Sequence, residues 1–116
     1  FGGGSPMDTA KVVAALWNGE QTIEEVIGIN FLKGRSTYLA CIPTTSGTGS
    51  EVTPYAIFHD ESENLKKGVV SPYIVADASY IDPELTITVP QAVTAATGMP
   101  LPTALSLMST NTIILW

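Results

Sequence analysis

The sequence predicts an α/β fold, in which helices flank a mixed or mainly parallel sheet. Strand and helix signals alternate along the chain, and this order is typical of α/β layers. A glycine triplet at residues 2–4 stands directly before a helical pattern, as in a strand–turn–helix unit. A second strand signal, at residues 37–42, leads into a long loop of small residues. With 45% hydrophobic residues, the 116-residue chain has enough apolar material for about one small domain.

The first half of the chain predicts two helices. Ser5 is expected as the N-cap of the first helix, with Pro6 at the first helical position. This helix should end at residue 16 or 17, because the Asn-Gly pair at 18–19 stops it. A weaker helical pattern covers residues 23–27, and the glycine that follows ends it.

The second half predicts short strands, tight turns and one further helix. β-Branched and aromatic residues favour the strands, while Pro, Gly, Asp and Asn mark the turns. In chain order, the predicted elements are a strand at 55–58, a polar turn at 59–64, strands at 69–70 and 73–80 separated by Pro72, a turn at 82–86 and a helix at 90–96.

The charge of the chain argues against some classes of partner. Its formal net charge is −6, so nucleic acid and anionic membrane surfaces would repel it. Charged residues make up only 14%, against about 25% in typical domains. We therefore expect part of the surface to be covered by a second domain or another subunit.

Cysteine and histidine each occur once. Because Cys41 is the only cysteine, the chain cannot form an internal disulfide. Its place in an apolar strand predicts a buried structural thiol. His59 lies in an acidic turn, so we expect it at the surface, and one histidine cannot build a multi-histidine metal site. No apolar run approaches the roughly 18 residues that a membrane span needs. We expect a cytoplasmic protein.

The loop at residues 43–51 is the most informative segment. It reads P-T-T-S-G-T-G-S-E and follows the strand at 37–42. Glycines let the backbone approach a ligand closely, and small hydroxyl residues present O–H donors to it. The pyrophosphate of a nucleotide needs such donors in an open concavity. Taken alone, the loop is better explained as a flexible Ser/Gly connection.

The glycine turn at residues 2–5 is a second segment suited to phosphate. Free N–H groups and the positive end of the helix dipole converge there. It departs from the dinucleotide fingerprint G-x-G-x-x-G, because Met7 holds the place of the third glycine. A helix-capping turn explains it as well, and Asp8 either completes that cap or binds a ligand. Lys66 and Lys67 offer cations for a phosphate or ribose, although adjacent lysines after a polar turn are usually only solvated.

Four ordered motifs resemble those of the iron-containing (group III) alcohol dehydrogenases. Residues 2–11 resemble the family motif G-G-G-S-x-x-D-x-A-K, and residues 42–53 resemble P-T-T-x-G-T-G-S-E-V-T. Residues 81–86 and 95–99 match later signatures in the same order. The resemblance implies a partial Rossmann-like nucleotide-binding domain over residues 1–99. It also implies hydride transfer between an alcohol and an aldehyde or ketone, with NAD or NADP as cofactor.

The resemblance also assigns residues to the cofactor site. Gly3, Gly4 and Ser5 would hold the pyrophosphate, and Asp8 would lie near the nicotinamide side. Thr44, Thr45 and Thr48 would line the site, and Lys66 matches a lysine that contacts the cofactor. No catalytic residue is assigned, and the implied substrate is a small alcohol or aldehyde.

The resemblance fails after residue 99. The family continues D-A-L-T-H-A, in which the Asp and the His bind a metal, whereas this chain has Pro100 and Ala104 at those positions. Neither side chain can bind a metal, so we expect the family's iron or zinc to be absent. Residues 100–116 are expected to be a divergent tail that replaces the start of the helical metal-binding domain. A frameshift or a truncated gene would explain this loss of pattern.

These departures leave three functional hypotheses. The first is a shortened oxidoreductase that keeps the nucleotide loops, and the second is a non-catalytic nucleotide-binding module or gene remnant. The third is an interaction protein in which both loops have lost their ligand. We also expect the upstream part of the nucleotide-binding domain to be missing. The strand edges left open in that way would favour pairing with another copy, which predicts a homo-oligomer.

Overall fold

A computed structural model of the chain describes residues 1–98 and 112–114. Within them the helices are α1 (Gly4–Leu16), α2 (Ile23–Val26) and α3 (Gln91–Gly98), with 3-10 turns at Pro72–Ile74 and Pro83–Thr86. The strands there are β1 (Gly28–Ile29), β2 (Ala40–Cys41), β3 (Tyr55–Asp60), β4 (Leu65–Val70), β5 (Ala78–Ile81) and β6 (Thr112–Ile114).

The strands form two three-stranded sheets. The first has the order β1-β4-β3, with β1 parallel to β4 and β3 antiparallel to β4. Ile57 lies opposite Gly68 in this antiparallel pair. The second has the order β2-β5-β6 and is parallel throughout, with Ala40 opposite Ala78 and Ser79 opposite Thr112. The predicted α/β class, with a mixed sheet and flanking helices, is confirmed.

Helix α1 packs against both sheets. Ala15 joins a core cluster that includes Ala56 of β3 and Val69 of β4. Met7 and Ala14 join a second cluster that includes Cys41 of β2, which is 1% exposed. Burial raises the pKa of the Cys41 thiol, and the prediction of a buried structural thiol is confirmed.

The start of α1 differs from its prediction. The N-cap is Gly3 rather than Ser5, and no side chain caps the helix. Gly2 has a φ of +144°, which favours glycine, and the Met7 amide donates to the Gly3 carbonyl at 3.3 Å. The helix therefore begins inside the glycine turn. Its end at Leu16 is as predicted.

The hairpin and the segment after it also differ from prediction. The expected polar turn at 59–64 is shorter, because His59 and Asp60 continue β3. The strand expected at 73–80 begins only at Ala78. Residues 72–74 form a 3-10 turn instead, which begins at Pro72. The predicted strand at 37–42 narrows to two residues. Strand β1 was missed because only two residues pair and one is a glycine.

Arg35 ties the long segment between β1 and β2 to the segment before β5. Its guanidinium donates to the carbonyls of Tyr73, at 2.8 Å, and Val75, at 3.0 Å. It also forms an ion pair with Asp77 at 2.7 Å, and the same Asp77 oxygen accepts from the Leu39 amide. The Arg35 side chain is only 8% exposed, and its hydrogen bond lowers the pKa of Asp77.

We predict that Arg35→Met lowers the free energy of unfolding by about 2 kcal/mol, because it leaves several charge-assisted hydrogen bonds unmade. Urea unfolding at neutral pH measures the change. Lys33→Met is the matched control, since it removes an exposed cation nearby. An equal loss in both variants would contradict the prediction.

Candidate functional site

The glycine turn and the Thr/Ser/Gly loop lie side by side. The Gly2 amide donates to the Ile42 carbonyl at 3.1 Å, and the Thr44 amide donates to the Gly2 carbonyl at 2.9 Å. Gly2 and Pro43 form an isolated parallel bridge. The two segments that the sequence marks as suited to a nucleotide are therefore neighbours in the structure.

The turn and the loop approach each other most closely at Gly4. A Cβ atom on Gly4 would lie 3.1 Å from the Thr48 side chain, so Thr48 would have to shift slightly. A Cβ atom on Gly3 would lie 3.4 Å from Thr45 Oγ1, which is an ordinary van der Waals contact. Gly4 is thus explained by packing as well as by the approach of a ligand.

Two buried oxygen atoms beside the turn have no hydrogen-bond partner in the described part of the chain. They are Thr45 Oγ1 and Asp8 Oδ1. The other Asp8 oxygen, Oδ2, accepts from the Ile57 amide at 3.1 Å. Buried polar atoms in native proteins are nearly always partnered, so these two oxygens are exceptions beside the turn. Asp8 Oδ1 has the Lys11 ammonium 3.7 Å away as its nearest opposite charge.

A cleft of about 700 Å³ opens between α1 and the β3–β4 hairpin. That volume lies within the usual range for small-molecule sites. Hydrophobic side chains, among them Val12, Ile23 and Phe58, form much of its wall. The polar residues of its lining are Ser5, Asp8, Thr9, Thr48, Ser50, Tyr55, His59 and Lys66, and Gly4 contributes backbone.

The structure brings most of the predicted cofactor residues to this cleft. Those that line it are Gly4, Ser5, Asp8, Thr48 and Lys66. The others lie at the turn beside it: Gly3 stands against Thr45, and Thr44 bonds to Gly2 through its amide. Their roles towards a cofactor stay predictions.

The two adjacent lysines have different surroundings. Lys67 forms ion pairs with Asp60, at 2.6 Å, and Glu63, at 2.9 Å, and these carboxylates raise its pKa. Lys66 lies at the cleft, opposite His59 in the antiparallel ladder. His59 is exposed, as predicted, although it lies in a strand rather than a turn. Of the two lysines, Lys66 is therefore the one that lines this cleft.

The sequence reasoning missed Lys11. This side chain is fully buried and donates three hydrogen bonds to Thr53 and Tyr55, at the start of β3. Its ammonium lies 3.7 Å from Asp8 Oδ1. A signal was present, because a lysine four residues after Met7 falls on the buried face of α1.

No metal cluster is found in the parts of the chain that the structure describes. No three His, Cys, Asp or Glu side chains lie close enough there to hold a metal ion. Pro100 and Ala104 lie outside the described residues, as does the boundary at 99 and 100. The absence of the family metal stays a prediction, and so does the divergent tail at residues 100–116. Among the helices described, none is long and apolar enough to cross a membrane.

Solved structures with the same fold define the class of protein. Over 85% of this chain, an alcohol dehydrogenase from Oenococcus oeni superposes with a TM-score of 0.79 at 39% identity, although only 26% of that protein is covered. The sulfoacetaldehyde reductase from Bifidobacterium kashiwanohense, solved in complex with NAD+, superposes with a TM-score of 0.75 at 35% identity. That match covers 86% of this chain and 27% of the reductase. The fold is a Rossmann-like α/β domain.

Sequence comparison identifies the family. The family model for iron-containing alcohol dehydrogenase matches residues 1–83. Sulfoacetaldehyde reductase of Bilophila wadsworthia is 46% identical over 99 residues, which cover 85% of this chain and 26% of that protein. Choline dehydrogenase of Bacillus subtilis is 44% identical over 101 residues, which cover 84% of this chain and 25% of that protein. The chain belongs to the iron-containing alcohol dehydrogenase family and spans about a quarter of the length of these relatives.

We predict that Thr45→Val raises the free energy of unfolding of the ligand-free chain by about 1 kcal/mol, because it removes a buried hydroxyl without a partner. Thermal and urea unfolding measure the change. Thr53→Val is the matched control and should destabilise, since Thr53 Oγ1 accepts from Lys11 at 3.1 Å. Destabilisation by Thr45→Val would show that its hydroxyl already has a partner.

Proposed function

We propose that this chain binds NAD or NADP in the cleft between α1 and the β3–β4 hairpin. The observation that carries the proposal is the hydrogen-bonded pairing of the glycine turn with the Thr/Ser/Gly loop at one end of this cleft. Names of relatives support it. One solved reductase is in complex with NAD+, and a 36% identical protein of Bacillus methanolicus is named NAD-dependent methanol dehydrogenase.

The start of α1 is proposed to hold the pyrophosphate. Pro6 has no N–H, and the Met7 amide is bonded to Gly3, so the amides of Gly4 and Ser5 are left at the helix N-terminus. The helix dipole adds positive potential there. Thr44, Thr45 and Thr48 of the neighbouring loop would supply further hydroxyl and amide donors.

The rest of the cofactor is proposed to lie along the cleft, between α1 and the β3–β4 hairpin. Lys66 places a cation at the cleft, where it would contact a ribose or phosphate oxygen. Asp8, on the α1 side of the cleft, would lie close to the nicotinamide side. When bound, the nicotinamide ring would accept or donate the hydride.

The reaction proposed is that of a shortened oxidoreductase, in which hydride passes between a small alcohol and an aldehyde or ketone. The names of the relatives support this reaction class. A non-catalytic nucleotide-binding module is the second candidate. Pro100 and Ala104 favour it, because they replace the family's metal ligands, whose metal would polarise the substrate oxygen. The cytoplasmic location stays a prediction.

The deciding experiment is a calorimetric titration with NADH and NADPH, followed by absorbance of the reduced cofactor with a panel of small aldehydes. Binding with turnover supports the shortened oxidoreductase, and binding alone supports the non-catalytic module. No binding of either cofactor would overturn the proposal. Metal analysis of the purified chain completes the test, since one tightly bound iron or zinc per chain would contradict the expected loss of the metal site.

In the same titration, Lys66→Gln should weaken the affinity for the reduced cofactor by roughly tenfold, because a charge-assisted contact is lost. Lys33→Gln is the matched control, as its side chain lies at a different surface groove. The contact would be disproved if both substitutions changed the affinity equally.

We also propose that the chain forms a homo-oligomer. Large apolar side chains are exposed, including Trp17 at 74%, Ile29 at 68% and Phe31 at 60%. Such surface is usually covered in solution by another molecule. Sizing with light scattering should show a dimer or larger species, and a monomer at micromolar concentration would count against this.

A further inference from the structure

The edge of strand β3 that faces α1 has side chains in place of a neighbouring strand. In the described residues β3 is an outer strand, paired only with β4. On its other edge, the Tyr55 carbonyl accepts from Lys11 Nζ at 2.9 Å, and the Ile57 amide donates to Asp8 Oδ2 at 3.1 Å. Both groups flank Ala56, which is completely buried.

These two contacts reproduce a parallel β-bridge. In a parallel pair, one residue donates its N–H to the carbonyl before the opposing residue and accepts from the amide after it. Around Ala56, Lys11 takes the part of that N–H donor and Asp8 the part of the carbonyl. The helix thereby satisfies an edge that would otherwise present unpaired backbone groups.

The Lys11 ammonium is committed to this edge. An ammonium has three donors, and all three are used, by the Tyr55 carbonyl, the Thr53 carbonyl at 3.0 Å and Thr53 Oγ1 at 3.1 Å. It also stands 6.0 Å from the centre of the Tyr55 ring, within range of a cation–π contact. Lys11 thus has no donor left for a ligand.

Both oxygens of Asp8 are engaged at the edge of β3. Oδ2 is bonded to the Ile57 amide, whereas Oδ1 is buried, has no hydrogen bond in the described chain and lies 3.7 Å from Lys11 Nζ. Asp8 and Tyr55 both line the cleft. The position of these two residues at the cleft therefore depends on the same contacts that close the edge of β3.

We propose that Lys11 is a positioning residue of the nucleotide site. Together with Asp8 it completes the edge of β3 as a neighbouring strand would, and it holds Asp8 and Tyr55 in place where they line the cleft. The link to ligand binding rests on the proposed function. The role at the strand edge rests on the hydrogen bonds alone.

The test compares the NADH affinity of Lys11→Met with that of a matched core variant. Val26→Ala opens a cavity at a fully buried core position that does not line the cleft. At a temperature where both variants are folded, we expect Lys11→Met to weaken the affinity by roughly tenfold, while Val26→Ala leaves it unchanged. Equal affinities in the two variants would overturn the proposal, since a purely structural role predicts that result.

Chemical rescue keeps the test decisive if Lys11→Met does not fold. Cys41 is the only cysteine, so Lys11→Cys can be made in a Cys41→Ala chain and alkylated in the unfolded state with 2-bromoethylamine. The product has the length and charge of lysine, and we expect it to bind NADH as the Cys41→Ala parent does. Alkylation with 3-bromopropylamine keeps the charge but adds one methylene, and it should not restore affinity. Equal rescue by both reagents would show that charge alone suffices.

Hydrogen exchange separates this proposal from the proposed function. If the unaltered chain binds neither NADH nor NADPH, the proposed function fails. The edge role is then judged by the Ile57 amide, which should exchange roughly tenfold faster in Lys11→Met than in Val26→Ala. Equal exchange of this amide in the two variants would overturn the role of Lys11 at the edge.

Discussion

Both sheets depend on the burial of one helix, α1. Met7 and Ala14 pack it on the parallel sheet, and Ala15 packs it on the mixed sheet. Its face between these contacts carries Lys11, which is fully buried. A buried ammonium is tolerated only when its donors are all bonded, and this requirement fixes the start of β3 against the helix. The position of the β3–β4 hairpin follows from that constraint.

The cleft is a consequence of the same arrangement. The glycine turn brings the start of α1 against the Thr/Ser/Gly loop, and the Asp8–Lys11 pair holds the hairpin along the side of the helix. The space left between helix and hairpin collects polar groups of α1, of the Thr/Ser/Gly loop and of the hairpin. The cleft therefore exists only when these segments are packed together.

The family assignment and the chemistry of the chain answer different questions. The match over residues 1–83 and the solved structures establish ancestry and fold, and both cover only about a quarter of each relative. In the family the reaction needs a substrate oxygen beside the nicotinamide and a metal that polarises it. The described residues form the cleft that we propose for a nucleotide, whereas Pro100 and Ala104, which the resemblance aligns with metal ligands, lie outside them. Whether this chain binds a nucleotide and whether it turns over a substrate are therefore separate questions.

By itself, the sequence determined the fold class and the two small-residue loops, because both are encoded locally by composition and spacing. It identified the family through four motifs that resemble those of the iron-containing alcohol dehydrogenases. It also placed Lys66 and Thr48 among the residues of one site, through the resemblance. Only the tertiary structure decided that Lys66 rather than Lys67 meets the cleft, since Asp60 and Glu63 engage the latter. It alone revealed the edge role of Lys11, because hydrogen bonds between residues more than 40 positions apart leave no local pattern.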